Sequence, residues 1–317
     1  MDYNYQPLGK KIGPHIREHW TSNGIMRQVL IALCIPTFFG YIYFGFKSVV
    51  MVLVSILFCV ILESLVKKIF NLEYITQDLT AIITGWLLAL MLPITTPIWV
   101  ILLGDFIAII FIKHFSGGLG RNWLNPAVAS RVILKLFFSP WITNWVEPGP
   151  EAITTATPLV ELGHFAKHVT ANVPDLWELL IGWNLGGPIG ETNKLALIFA
   201  YVYLVLKKVI NVEIPLITLG SFYTIILLYS GFDFYFATAH LLSGSLVFAA
   251  VFMVTDYTTT PYNNMGKYVF ALGCGALCAV LRITLDLPGG IGIAILIMNI
   301  LTPCINKICT NRIYGTI

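Results

Sequence analysis

What most limits the fold of this chain is its succession of apolar runs. From about residue 25 onward, ten stretches of roughly 15 to 22 residues carry few charges. They lie at about 25–46, 48–66, 76–92, 97–113, 126–140, 193–210, 214–230, 233–254, 268–285 and 289–308. A helix needs about 20 such residues to cross some 30 Å of hydrocarbon, so ten crossings use about 200 of the 317 residues. Too little is left for a second large soluble domain. Charged residues make up 11% of the chain, against roughly a quarter in soluble domains, and 57% is hydrophobic. The pattern predicts an all-α integral membrane protein of about ten transmembrane helices and excludes a water-soluble globular fold.

The 19 basic and 16 acidic residues nearly cancel, and no long basic run points to nucleic acid. Six cysteines, Cys34, Cys59, Cys274, Cys278, Cys304 and Cys309, lie mostly inside apolar stretches and make no C-x-x-C pair. They read as small core residues. His15 and His19, and His164 and His168, are each four apart, but no third ligand is near in sequence, so no metal is expected. The polar, basic stretch from Met1 to Asn23 lacks the apolar core and cleavage site of a removable signal peptide.

Basic residues collect in the loops on one side of the predicted bilayer. Lys10, Lys11, Arg17, Arg27, Lys67, Lys68, Lys113, Arg121, Lys207, Lys208, Lys267, Lys307 and Arg312 fall there. The other side holds little more than Lys47, Lys167 and Lys194, with Arg282 near a span end. Cytoplasmic loops carry the Lys/Arg excess, so both termini are expected in the cytoplasm and the number of spans is even. Four segments follow. Residues 1–24 form a cytoplasmic amino-terminal segment, 25–140 a first five-helix repeat, 141–192 an outward insert, and 193–317 a second five-helix repeat with a short tail. Five is odd, so the two repeats run in opposite directions, as in inverted-repeat transporters. Thr80 to Pro93 and Leu242 to Asp256 echo each other, each running from small residues to a Leu/Met/Phe-rich end.

Two places within the spans are candidates for chemistry. The run Gly117-Gly118-Leu119-Gly120-Arg121-Asn122-Trp123-Leu124-Asn125-Pro126 lies directly between apolar spans. Non-helical backbone at that depth is tolerated where it is buried in protein or lines a cavity. Asn122 and Asn125 each offer a carbonyl acceptor and an amide donor, suited to the edge of a planar heterocycle. They are equally suited to capping the helix that begins at Pro126. Asp105, near the middle of the fourth span, is either an ion-pathway residue or half of a structural pair with Arg131 or Lys135. In the insert, Glu151-Ala152-Ile153-Thr154-Thr155-Ala156-Thr157-Pro158-Leu159 is rich in hydroxyls, as turns often are. A Thr hydroxyl is not a spontaneous nucleophile at neutral pH, so covalent chemistry there needs a separate enzyme.

That stretch resembles the D-x-x-S-G-A-T-x-L signature at which a flavin transferase joins FMN, through its phosphate, to the last threonine. Ala156, Thr157 and Leu159 match identically, with Glu151, Thr154 and Thr155 in place of Asp, Ser and Gly. The rest of the chain is similar to one family, the D subunit of the Rnf complex and the homologous B subunit of the sodium-pumping NADH:quinone oxidoreductase. The resemblance runs through Pro14-His15, Thr21, Ile25-Met26, Val29, Ala32-Leu33 and Pro36. It continues through Gly117-Gly118 to Asn125-Pro126-Ala127, Gly186 to Thr192, and Phe252 to Asp256 with Thr260-Pro261. It covers essentially the whole chain, and the short amino-terminal tail is closer to the Rnf subunit.

The resemblance implies a 5+5 inverted repeat akin to urea and ammonium channels, in the plasma (bacterial inner) membrane. It implies covalent FMN on Thr157 at the outer side and a non-covalent riboflavin within the membrane, with Asn122 and Asn125 as its candidate ligands. The implied activity is electron transfer in a complex that oxidises ferredoxin and reduces NAD, or the reverse, coupled to Na+ or H+ transport. Partner subunits would carry the iron–sulfur and further flavin groups. A passive channel or secondary transporter of the same architecture is the rival reading, and Thr157 separates the two, since a transporter has no use for a phosphoester-linked flavin.

Overall fold

The computed structural model describes residues 22–70, 79–117, 122–148, 159, 162, 175–183, 185–285, 287 and 289–309. Thr157 and the His15/His19 and His164/His168 pairs lie outside them. The regular elements longer than one residue among the described residues are all helices.

Helix α1, Ser22–Phe44, turns directly into α2, Phe46–Ile69, at Gly45. There φ is +71°, a left-handed conformation that a side chain would strain. Ser48 locks the corner by donating its hydroxyl to the Gly45 carbonyl at 2.7 Å. The packing of α2 is inside out by the standards of a water-soluble helix. Its buried face carries Ser48, Ser55, Cys59 and Glu63, while Leu53, Leu57, Ile61 and Leu65 are about half exposed on the other. In water that arrangement wastes apolar surface; in lipid it is the expected one, because hydrocarbon solvates leucine and the protein interior must satisfy the polar groups.

Helix α3, Thr80–Leu90, is short and gives way to a non-helical stretch from Met91 to Pro97. It packs closely on α2 through Gly85, where a Cβ would stand 2.8 Å from the Ser55 carbonyl oxygen. Small residues at a helix crossing are how membrane helices approach without a hydrophobic driving force. Helix α4, Ile98–Phe106, continues as a π-helical segment, Ile107–His114. Helix α5, Pro126–Phe137, begins with proline at its first position, and Asn125 accepts from the Val128 backbone N–H. Two short helices, α6 (Ser139–Ile142) and α7 (Leu176–Ile181), belong to the insert.

The second half starts with α8, Lys194–Leu206, capped by Asn193, and α9, Glu213–Tyr229. Next come α10, Phe234–Leu242, and α11, Leu246–Phe252, which meet at a 58° bend over Ser243-Gly244-Ser245. Helices α12, Asn264–Leu285, and α13, Gly290–Ile308, complete the bundle. Gly275 of α12 lies against α9 so closely that a Cβ would fall 2.2 Å from the Thr218 carbonyl oxygen.

Where ten crossings were expected, four helices among the described residues are long and apolar enough by themselves: α1, α2, α12 and α13. The bent pair α10–α11 makes a fifth. The other apolar helices, α3, α8 and α9, are 11 to 17 residues long. The expected eighth span is broken where Ser243-Gly244-Ser245 interrupts its apolar run, a pattern that protein walls rather than lipid make tolerable. A second difference concerns the insert. Its last residues, Gly186 to Thr192, are not a surface loop but lie buried within the bundle. The backbone N–H groups of Ile189 and Gly190 donate to the carbonyls of Leu92 and Leu90, satisfying the unwound end of α3.

Candidate functional site

A pocket with apolar walls and a few convergent polar groups, the make-up typical of small-molecule sites, lies where the two halves of the chain meet. Ile83 and Leu87 of α3, Leu204 of α8, and Val251 and Phe252 of α11 form apolar walls. Polar groups come from both halves: Thr80, Thr84, Lys113, Asn122 and Asn125 from the first, Thr255, Asp256 and Thr258 from the second.

The structure thus brings Asn122 and Asn125 together on one wall, and both are buried. Asn125 also takes the capping role that was its alternative reading. Its Oδ1 accepts from the Val128 N–H at 3.3 Å, while its Nδ2 donates to Asp256 Oδ2 at 3.1 Å. One amide hydrogen and one lone pair of Asn125 remain for the pocket. Asp256 is furnished with donors as a tight turn requires. The Thr258 backbone N–H and hydroxyl reach Oδ1 at 3.1 and 2.9 Å, and the Thr259 hydroxyl reaches Oδ2 at 3.2 Å. Such a set fixes the orientation of the carboxylate.

Lys113, only 1% exposed, lies at the edge of this pocket. It donates to Glu63 of α2 and to the Thr80 hydroxyl, and Glu63 also pairs with Lys67 at 3.0 Å. From the sequence Lys113 counts as a basic loop residue; the π-helical extension of α4 instead turns it into the bundle, where a buried carboxylate meets it.

Asp105 has a different partner from the two expected. The Ser55 hydroxyl donates to its Oδ1 at 2.7 Å, and Oδ2 has no hydrogen-bond partner among the described residues. Arg131 pairs instead with Glu191 at 3.0 Å. The correction has a simple cause: Asp105 faces α2, whereas Arg131 faces the buried end of the insert, which from sequence reads as a solvated loop. Glu191 was not among the sequence candidates, although it ends the run Gly186-Gly187-Pro188-Ile189-Gly190-Glu191. That glycine spacing signals close backbone packing, since a Cβ on Gly190 would come 2.7 Å from Leu90 Cβ.

A second, smaller pocket opens beside Glu191, under the bend between α10 and α11. Leu179, Leu185 and Leu242 form its apolar side. The same three leucines pack with Leu159 and Leu162 of the insert. Leu159 thus packs against the wall of this pocket.

Compared with known proteins, residues 10–315 match the family model described as NQR2, RnfD, RnfE family. The D subunit of the Na(+)-translocating ferredoxin:NAD(+) oxidoreductase complex of Acetobacterium woodii is 35% identical, over 95% of this chain and 93% of that protein. The D subunit of the proton-translocating ferredoxin:NAD(+) oxidoreductase complex of Clostridium ljungdahlii is 34% identical, over 96% and 95%. The D subunit of the ion-translocating oxidoreductase complex of Rhodobacter capsulatus is 31% identical, over 89% and 87%.

Proposed function

The chain belongs to the NQR2, RnfD, RnfE family, and on that premise we propose that it is the D subunit of an ion-translocating ferredoxin:NAD oxidoreductase, the Rnf complex. The observation that carries this reading is the near end-to-end match to relatives bearing that name. Its part in the complex is electron transfer through bound flavin, coupled to Na+ or H+ transport, alongside iron–sulfur and flavin-bearing membrane subunits. In this reading ten crossings form two oppositely oriented sets of five in the bacterial inner membrane, with both termini in the cytoplasm. The bent pair α10–α11 supports that arrangement, because broken helices recur in inverted-repeat transporters.

The larger pocket fits riboflavin by its donor set. Its apolar walls suit a flat ring, and the amides of Asn122 and Asn125 suit the alternating acceptors and donor along one edge of that ring. Its charged groups are already engaged, Lys113 by Glu63 and the Thr80 hydroxyl, Asp256 by hydroxyl and amide donors. A phosphate there would need a further cation, so the pocket favours a flavin without one. When bound, riboflavin supplies one-electron redox chemistry; the chain supplies the walls, the hydrogen bonds and the exclusion of water. In this reading the acceptor of the covalent FMN is Thr157.

The test is in-gel flavin fluorescence of the purified complex after denaturation. The band of this subunit should fluoresce, and Thr157→Ala should abolish that signal while the subunit stays in the membrane. Undiminished fluorescence in the variant overturns the assignment of Thr157 as the acceptor.

A further inference from the structure

Helix α2 turns a column of polar groups into the bundle. Ser55, Cys59 and Glu63 are buried and four residues apart, so each stands about 6 Å along the helix from the last. At one end Glu63 meets Lys113, at the edge of the larger pocket. At the other, Ser55 meets Asp105, near the middle of the run formed by α4 and its π-helical extension. Asp105 is fully buried, and no cation pairs with it among the described residues. The Cys59 thiol stands against its carboxyl, and Leu62, Ala81 and Ile109 enclose Cys59 in turn. A bare carboxylate there is a single uncompensated charge in a membrane interior.

Ser55 Oγ lies 2.7 Å from Asp105 Oδ1 and also 2.7 Å from the Gly85 carbonyl oxygen. Both are O–H···O distances, yet the hydroxyl has one hydrogen and the carbonyl has none. When Ser55 gives its hydrogen to Oδ1, two oxygens face each other across the Gly85 contact with nothing between them. With a proton on Oδ1 both contacts are made, because Asp105 then donates to Ser55 and Ser55 donates to Gly85. The other oxygen, Oδ2, has no hydrogen-bond partner among the described residues. In the protonated form it is a neutral carbonyl oxygen, which costs less to leave unpaired than a charged one.

We propose that Asp105 is a proton-binding site in an ion path through this subunit, loaded with a proton at rest, and that Ser55 is its relay. This deepens the proposed function and rests on its coupling of electron flow to ion transport. Release breaks the O–H bond at Oδ1 and leaves a carboxylate, while the Ser55 hydrogen swings from the Gly85 carbonyl to Oδ1. The proton passes along the α2 column toward the carboxylate of Glu63, which Lys113 and Lys67 already pair. The emptied Asp105 has no cation of its own and is neutral again only when a second proton or an Na+ refills it. That requirement ties each release to one uptake.

The experiment uses the purified complex with its aspartates isotopically labelled at the side-chain carboxyl carbon, in four forms: unchanged, Asp105→Asn, Asp105→Glu and Ser55→Ala. At neutral pH the infrared spectrum of the unchanged protein should contain a protonated-carboxyl C=O band that moves with the label and in heavy water. The band should be missing from Asp105→Asn and shifted in Ser55→Ala, which removes its hydrogen-bond partner. In vesicles, ion uptake driven by reduced ferredoxin and NAD, per assembled complex, should be lost in Asp105→Asn and partly restored in Asp105→Glu. Asparagine keeps a donor for Ser55, so a purely structural role predicts unchanged uptake. Following Na+ and acidification separately identifies the ion that refills the site. No such band in the unchanged protein, or undiminished uptake in Asp105→Asn, overturns the proposal. If Asp105→Asn does not assemble, a band that Ser55→Ala fails to shift overturns it. An unchanged complex that drives no ion uptake overturns instead the proposed function, and the band still decides whether Asp105 carries a proton.

Discussion

The side-chain amide of Asn125 donates to the carboxylate of Asp256 at 3.1 Å, across 131 positions of sequence. The bond joins the first turn of α5 to the segment that unwinds after α11, and both residues line the larger pocket. Asn122 lies beside them. Replacing either asparagine with alanine removes an amide from a buried polar surface, a loss of about 1–3 kcal/mol. Asn122→Ala and Asn125→Ala should each lower extractable riboflavin in the purified complex while the FMN linked to Thr157 remains. Equal riboflavin in both variants would leave Asn125 as a helix cap and Asp256 clamp alone.

The Arg131–Glu191 pair should behave as a buried ion pair. Removing the carboxylate leaves the buried cations around it uncompensated, which typically costs about 3–5 kcal/mol, whereas Glu191 without Arg131 keeps Lys194 and Arg282 near it. Thermal inactivation of the purified complex should therefore come at a lower temperature for Glu191→Gln than for Arg131→Gln. Equal inactivation temperatures for Glu191→Gln and the unchanged protein would contradict the pairing.

Close helix contacts give a steric prediction with its own control. A Cβ on Gly275 would meet Ser221 Oγ at 2.0 Å and the Thr218 carbonyl oxygen at 2.2 Å, while one on Gly220 meets nothing within 4 Å. Gly275→Val should abolish the accumulation of folded subunit. Gly220→Ala, at an exposed helical position, should be neutral or stabilising by up to about 1 kcal/mol. Blots and detergent-extracted yields distinguish the two.

Topology is testable from the Lys/Arg asymmetry of the loops. A reporter active only after export should be active when fused near Val169 and silent when fused at Ile317. The reverse pattern would overturn both the even span count and the outward placement of Thr157.

Much of this fold is legible in the sequence because lipid imposes a simple rule on composition. Helices α1, α2, α12 and α13 overlap four of the predicted spans, and Pro126 with Asn125 announces the start of α5. Side-chain direction is harder to read. Asp105 bonds to Ser55 rather than to Arg131, because the choice depends on which face of α4 meets which neighbour. Lys113 resembles other juxtamembrane lysines in sequence, yet a π-helical segment rotates it inward. The stretch from Gly186 to Thr192 looks like surface turn, since glycine and proline mark irregular backbone whether water or protein satisfies it. The Asn122 and Asn125 motif could be located but not paired with Asp256, whose contact with it exists only once the two halves are assembled.

The pocket that holds those asparagines is also a seam. Its walls come from both halves of the chain, and one of its residues fastens them together. Whatever fills it binds only the joined arrangement, so by mass action its occupancy and the union of the halves rise and fall together. A chain made without its ligand would then be not merely empty but looser along its own midline, and loading the pocket would be the last step of folding as well as the first step of function.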